Sequence, residues 1–190
     1  MLPRKFRMAL AVSGLALLPY TSFAQSMSSS ADPMVGGSAM YPSRNIIENA
    51  LNSKDHTTLV AAVKAAGLVK TLEGPGPFTV FAPTNEAFSA LPAGTVQTLL
   101  KPENKAELTK ILTYHVVPGR YTGADIENMI QQGGGMAQLK TVEGETLTFK
   151  NAPDGGLMVM DVKGDAAKIT ISDVIQSNGV IQVINKVLMP

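Results

Sequence analysis

Two histidines, His56 and His115, are the only side chains in this 190-residue chain whose ordinary pKa lies near neutrality, and there is no cysteine. His115 falls four residues after Ile111 and seven after Leu108. That spacing turns the imidazole inward with them if the helix runs on. A buried imidazole must find hydrogen-bond partners, since an unmade one costs about 1–3 kcal/mol. His56 follows Asp55 at a helix start and reads as a solvated neighbour of the cap. The two histidines stand 59 residues apart and, with no thiol to join them, form no zinc set. Asp154, Asp161 and Asp165 gather in adjacent loops, but they lack the alternating ligands and terminal Glu of a calcium loop and read as turn residues.

Nucleophilic chemistry has little to draw on. The chain has no G-x-S-x-G elbow, and His115 is its one candidate general base. The glycine pairs and triplet at Gly36-Gly37, Gly133 to Gly135 and Gly155-Gly156 lack the Lys-Ser/Thr that completes a phosphate cradle. The expectation is a non-catalytic protein with no cofactor and no metal.

The elements that must position these residues change character along the chain. Ile46, Ile47 and Ala50 make a first short helical face, and Asp55 is placed to cap a second helix carrying Leu59, Val63 and Ala66, with Gly67 as its stop. Phe78 to Phe81 reads as a strand, and Thr84 then caps a short helix with Ala87 and Phe88. Pro102 suits the first turn of the helix that carries Leu108, Ile111 and Leu112. Thr122 and Asp125 form a capping-box pair before Ile126 and Ile130. The last third switches to period two, with turns at Glu143-Gly144, Asp154 to Gly156 and Asn178-Gly179, and its last strand, Val180 to Val187, is apolar enough to be central. Helices first and antiparallel strands later predict an α+β fold.

The N-terminus reads as an export signal over residues 1–24. Arg4, Lys5 and Arg7 precede an apolar stretch from Ala9 to Leu18, and Ser22-Phe23-Ala24 offers a cleavage site between Ala24 and Gln25. A stretch of ten apolar or small residues is too short to cross roughly 30 Å of hydrocarbon, so no transmembrane segment is expected after cleavage. Cleavage removes three of sixteen bases and leaves thirteen against fifteen acids, a net charge of −2. The expected surface therefore gives no electrostatic reason to bind nucleic acid. Residues 25–43, rich in Ser, Gly, Met and Pro, read as a flexible tether, and residues 44–190 as one domain. An exported domain without cysteine must be held by packing alone.

Three stretches sharpen this reading. PFTVFAPTNEAF (Pro77 to Phe88), TYHVVPG (Thr113 to Gly119) and GVIQVINKVLMP (Gly179 to Pro190) resemble, in that order and spacing, the two signature boxes and the central Tyr-His motif of the fasciclin domain. The resemblance runs from about Asn45 to Pro190. It implies a compact wedge, a small β-sandwich with helices packed on it. It also implies a secreted or periplasmic adhesion module whose partner is a cell-surface or envelope component, whether protein, polysaccharide or lipid. By the same resemblance, Asn85 in the first box is the expected hydrogen-bond partner of His115. The pair Tyr114-His115 is then either a scaffold staple or the adhesive surface that this motif forms in animal members. The second box departs from the family pattern, with Gln182 and Asn185 standing where a His and an Asp are usual. The alternative function is a periplasmic protein that binds a small ligand or lipid in an apolar groove. Ten methionines, eight of them after Ala24, are compatible with an adaptable apolar surface.

Overall fold

The structure, a computed structural model, describes residues 32–190. The expected signal segment and its Ala24-Gln25 cleavage site lie outside the described residues.

The first half is built from short helices with local stop and start signals. Helix α1 (Ile46–Asn52) opens on a capping box in which the Asn45 side chain accepts from Glu48 N–H and the Glu48 carboxylate accepts from Asn45 N–H, both at 2.9 Å. A 3₁₀ turn over Lys54–His56 leads into α2 (Thr57–Ala66), which ends at Gly67 with φ 76°, a left-handed conformation that suits glycine. Helices α3 (Val69–Leu72), α4 (Asn85–Ser89) and α5 (Thr95–Leu99) are each about one turn long. Helix α6 (Lys105–Tyr114) follows a 3₁₀ turn that starts at Pro102, and α7 (Gly123–Gln132) opens on the Thr122–Asp125 capping box.

Seven strands form one mixed sheet. In chain order they are β3 (Phe78–Pro83), β4 (Val116–Pro118), β5 (Ala137–Lys140), β6 (Thr146–Asn151), β7 (Leu157–Met160), β8 (Ala166–Gln176) and β9 (Gly179–Ile184). Their spatial order is β4-β3-β9-β8-β7-β6-β5. Only β3 and β9, the two signature boxes, run parallel; all other neighbours are antiparallel. The long strand β8 pairs with β7 at one end and with β9 at the other, and a bulge between Ile169 and Val174 re-aims it midway. A backbone bond from Val142 N–H to the Val116 carbonyl, 2.8 Å, brings the two ends of the sheet together, so the layer curls almost into a barrel. This is the α+β arrangement expected from the sequence.

Two apolar cores result. One lies between the helices and the sheet, with α1, α2 and α6 covering Val80, Ala82, Val174, Ile181 and Val183. The other lies inside the curl, where α7 closes over Phe81, Leu147, Phe149, Val159 and Ile184. All six residues of β9 are buried, and β3 and β8 flank it on either side. The last strand is therefore central, although it stops at Ile184, short of Val187.

The reading of residues 25–43 as an unpacked tether needs correction over its described part. Strands β1 (Met34–Val35) and β2 (Ser38–Ala39) form a small hairpin, and Val35 and Met40 are buried in the helix-side core. The buried Asn49 side chain holds the hairpin's exit: its amide donates to the Tyr41 carbonyl at 2.8 Å, its oxygen accepts Tyr41 N–H at 3.1 Å, and it also donates to Gln176. Two isolated apolar residues in a Ser/Gly context carry no period, which is why the packing was not legible. Among the described residues no helix is long and apolar enough to cross a membrane.

Candidate functional site around the Tyr114-His115 motif

Tyr114 and His115 end α6 and lead directly into β4. Tyr114 is fully buried in the core inside the curl, while His115 is 2 % exposed on the wall of the helix-side core. The Tyr114 hydroxyl accepts Val162 N–H at 3.0 Å. Burial first, and nearby acidic groups second, push its pKa up to about 12 despite that bond.

His115 uses both ring nitrogens. A carbonyl can only accept, so Nδ1–H donates to the Ile111 carbonyl at 2.8 Å, and Nε2 is left to accept Leu188 N–H at 3.0 Å. Burial lowers its pKa to about 4, with the Ile111 carbonyl and Asp161 opposing the shift. Asp161 works beside it. One carboxylate oxygen accepts Lys163 and Asp165 N–H and so shapes the loop, while the other accepts Met189 N–H at 3.1 Å. His115 and Asp161 thus hold two successive backbone amides of the C-terminal segment.

The structure does not bring Asn85 to His115. Asn85 instead caps α2 from outside: its side-chain oxygen accepts Thr58 N–H at 3.0 Å and the Thr57 hydroxyl at 3.2 Å, and its amide donates to the Lys54 carbonyl at 2.8 Å. This supplies the cap that the sequence assigned to Asp55, because the 3₁₀ turn displaces Asp55 from the helix start. With its amide spent there, Asn85 has no role at His115.

His56 also departs from expectation. It is 3 % exposed, where a solvated position was expected. The signal was present: His56 precedes the buried Leu59 by three residues and Val63 by seven, the spacing of one helical face. Its Nδ1 lies 2.8 Å from Ser53 Oγ, and Nε2 has no hydrogen-bond partner among the described residues. Burial lowers its pKa, and the nearby Ala82 carbonyl, outside hydrogen-bond geometry, opposes the shift together with Asp55.

Both neutral replacements in the second box bond backbone groups. Gln182 is fully buried; its amide donates to the Tyr121 carbonyl and to Asp173, and its oxygen accepts Asp173 N–H. Asp173, on the bulge of β8 with φ 60°, also accepts Gly123 N–H at 2.7 Å. Asn185 accepts Lys168 N–H at 2.8 Å. Sequence reasoning missed Asn178 as well. Its side-chain oxygen accepts Ile46 N–H, and its amide donates to the Leu72 and Gly74 carbonyls, joining α1, α3 and β9. Among the described residues no three His, Asp or Glu side chains are grouped as a metal ion would require.

The comparisons agree with this architecture. The chain is 48 % identical over 181 residues to protein sll1483 of Synechocystis, covering 95 % of this chain and 93 % of that one. It is 39 % identical over 133 residues to the transforming growth factor-beta-induced protein ig-h3 of Sus scrofa, covering 70 % of this chain and 17 % of that much longer protein. Among solved structures, the FAS1 domain pair of the insect cell adhesion molecule fasciclin I superposes with a TM-score of 0.69 at 18 % identity, covering 77 % of this chain and 51 % of that one. The fold is therefore shared. The Fasciclin domain family matches residues 54–190, and the chain belongs to that family.

Proposed function

We propose that this protein is exported to the periplasm or beyond, where it makes non-catalytic adhesive contacts with a component of the cell surface, envelope or extracellular matrix. The observation that carries this reading is family membership over 54–190, together with a fold shared with a protein named as a cell adhesion molecule. The basic, apolar, then small-residue order of the first 24 residues supports export.

The contact surface in this reading is not Tyr114-His115, since both side chains are buried and fully engaged. A better candidate is the face formed by the hairpin and the end of α1. Met34, Tyr41 and Leu51 are large apolar residues left exposed there, and Ser38 Oγ binds the Asn52 carbonyl to keep hairpin and helix side by side. Arg44 stacks over the Tyr41 ring at 4.8 Å, giving the face an aromatic-cationic element suited to recognition. The test is a pull-down of the purified protein against envelope polysaccharide, protein and lipid fractions, repeated with Tyr41→Ser/Leu51→Ser. One fraction should be retained by the parent and lost by the variant at unchanged melting temperature. Retention of none would sink the adhesive reading, and equal retention by the variant would move the contact elsewhere.

A further inference from the structure

A cavity of about 40 Å³ lies in the helix-side core, bounded by the hairpin, α1, α2 and the sheet. Val35, Met40, Ala50, Val63, Val174 and Ile181 are among its walls. The polar residues on that wall are Ser53, Lys64, His56 and His115, of which Lys64 is exposed at the protein surface. His115 has both nitrogens engaged, so it offers the cavity nothing.

His56 does offer something. The Ser53 hydroxyl is buried and has His56 Nδ1 as its one hydrogen-bond partner, so its proton goes to that nitrogen. The imidazole must then carry its own proton on Nε2, and among the described residues that N–H is a buried donor that makes no hydrogen bond, the nearby Ala82 carbonyl lying outside bonding geometry. Such groups are rare because the lost hydrogen bond with water is not replaced. A trapped water is a poor solution here. The volume exceeds the ~10–15 Å³ that one water needs, yet a buried water wants two to four polar partners and this wall supplies one free donor.

We propose that this cavity is a binding site for a small, mostly apolar, uncharged molecule with a single hydrogen-bond acceptor, anchored on His56 Nε2–H. A carbonyl on a short acyl chain or ring has that chemistry. The acceptor is neutral and not a carboxylate, because burial holds the imidazole itself in its neutral form. The space is well below the ~150 Å³ of an engineered cavity that holds benzene. A guest of that size enters by displacing Met40, an unbranched and adaptable side chain, on a hairpin whose strands are only two residues each. This inference stands apart from the adhesive reading, since it concerns the interior and not the surface.

The experiment titrates the purified protein, carrying ¹³C-methyl methionine and ¹⁵N-histidine, with cyclohexanone and, separately, with cyclohexane. The two probes match in shape and differ in the acceptor. Saturable shifts are expected at the Met40 methyl and at His56 Nε2, with cyclohexanone binding at least fivefold tighter. Ala50→Leu, which fills the cavity from a helix that tolerates leucine, should abolish both at an unchanged or higher melting temperature. Should that variant melt early, Val63→Ile fills the same space from α2. Absence of saturable shifts with either probe, or shifts that survive in the filled variants, overturns the site. Equal affinity for ketone and hydrocarbon overturns the His56 anchor.

Discussion

The Tyr-His motif acts through backbone amides. His115 Nε2 takes the Leu188 N–H and Asp161 takes the Met189 N–H, so two side chains distant in sequence fix the end of the chain. His115→Ala would leave a cavity and strand both Leu188 N–H and the Ile111 carbonyl, and a loss of about 2–4 kcal/mol is expected. His115→Gln, which keeps a donor and an acceptor, should recover part of it. The same imidazole makes stability depend on pH. Folding lowers its pKa from 6.5 to about 4, so the folded protein binds this proton less readily than the unfolded chain does. Its contribution is complete above pH 6.5 and drains away as the pH falls toward 4, by roughly 3 kcal/mol at about 1.4 kcal/mol per unit. Urea midpoints at pH 7.5 and 4.5 should fall further apart for the parent than for His115→Gln; equal differences would show that the imidazole is not the titrating group. His56, also lowered, adds a slope of the same sign and remains in both proteins. The inward aim of His115 was legible from its phase with Leu108 and Ile111. Its partner was not, because a hydrogen bond across 73 residues depends on tertiary placement that no local spacing records.

Elements with a clear period or cap were legible: α2 and α6 from their apolar spacing, α7 from Thr122 and Asp125, β9 from its dense apolar run, interrupted only by Gln182. The hairpin was not, because two-residue strands have no period and its packing rests on Val35 and Met40 alone. That element nonetheless closes the helix-side core. Deleting residues 32–41 removes two buried side chains, each contributing about 1.5–3 kcal/mol, and leaves the Asn49 amide without its Tyr41 partners. The expected loss is at least about 4 kcal/mol by urea denaturation, with new binding of a dye that reports exposed apolar surface. A loss under 1 kcal/mol would mean that the helices close over the gap unaided. Asn85 belongs at this scale too, since a residue of the first box caps α2 and so couples β3's exit to the helical layer.

The whole molecule turns on β9. It runs parallel to β3, the strand of the first signature box, on one side and antiparallel to β8 on the other. Its residues and those just after it feed both cores: Ile181, Val183 and Val187 enter the helix-side core, and Ile184 and Leu188 enter the core inside the curl. Neither core can form completely without it, so the two are expected to unfold together. Ending the chain at Asn178 would remove these side chains and Val180, a loss on the order of 10 kcal/mol by area, which exceeds the lower end of the roughly 5–15 kcal/mol margin of an ordinary domain. It would also leave His115 Nε2 and the Asp161 carboxylate without the amides they hold, and open β3 and β8 as unpaired edges. Protein ending at Asn178 should be recovered only from the insoluble fraction, or show no cooperative melt by circular dichroism. A soluble truncation with a sharp transition would show that α7 and the strands from β5 to β8 fold as a unit without the last strand, and that the two cores are energetically separate.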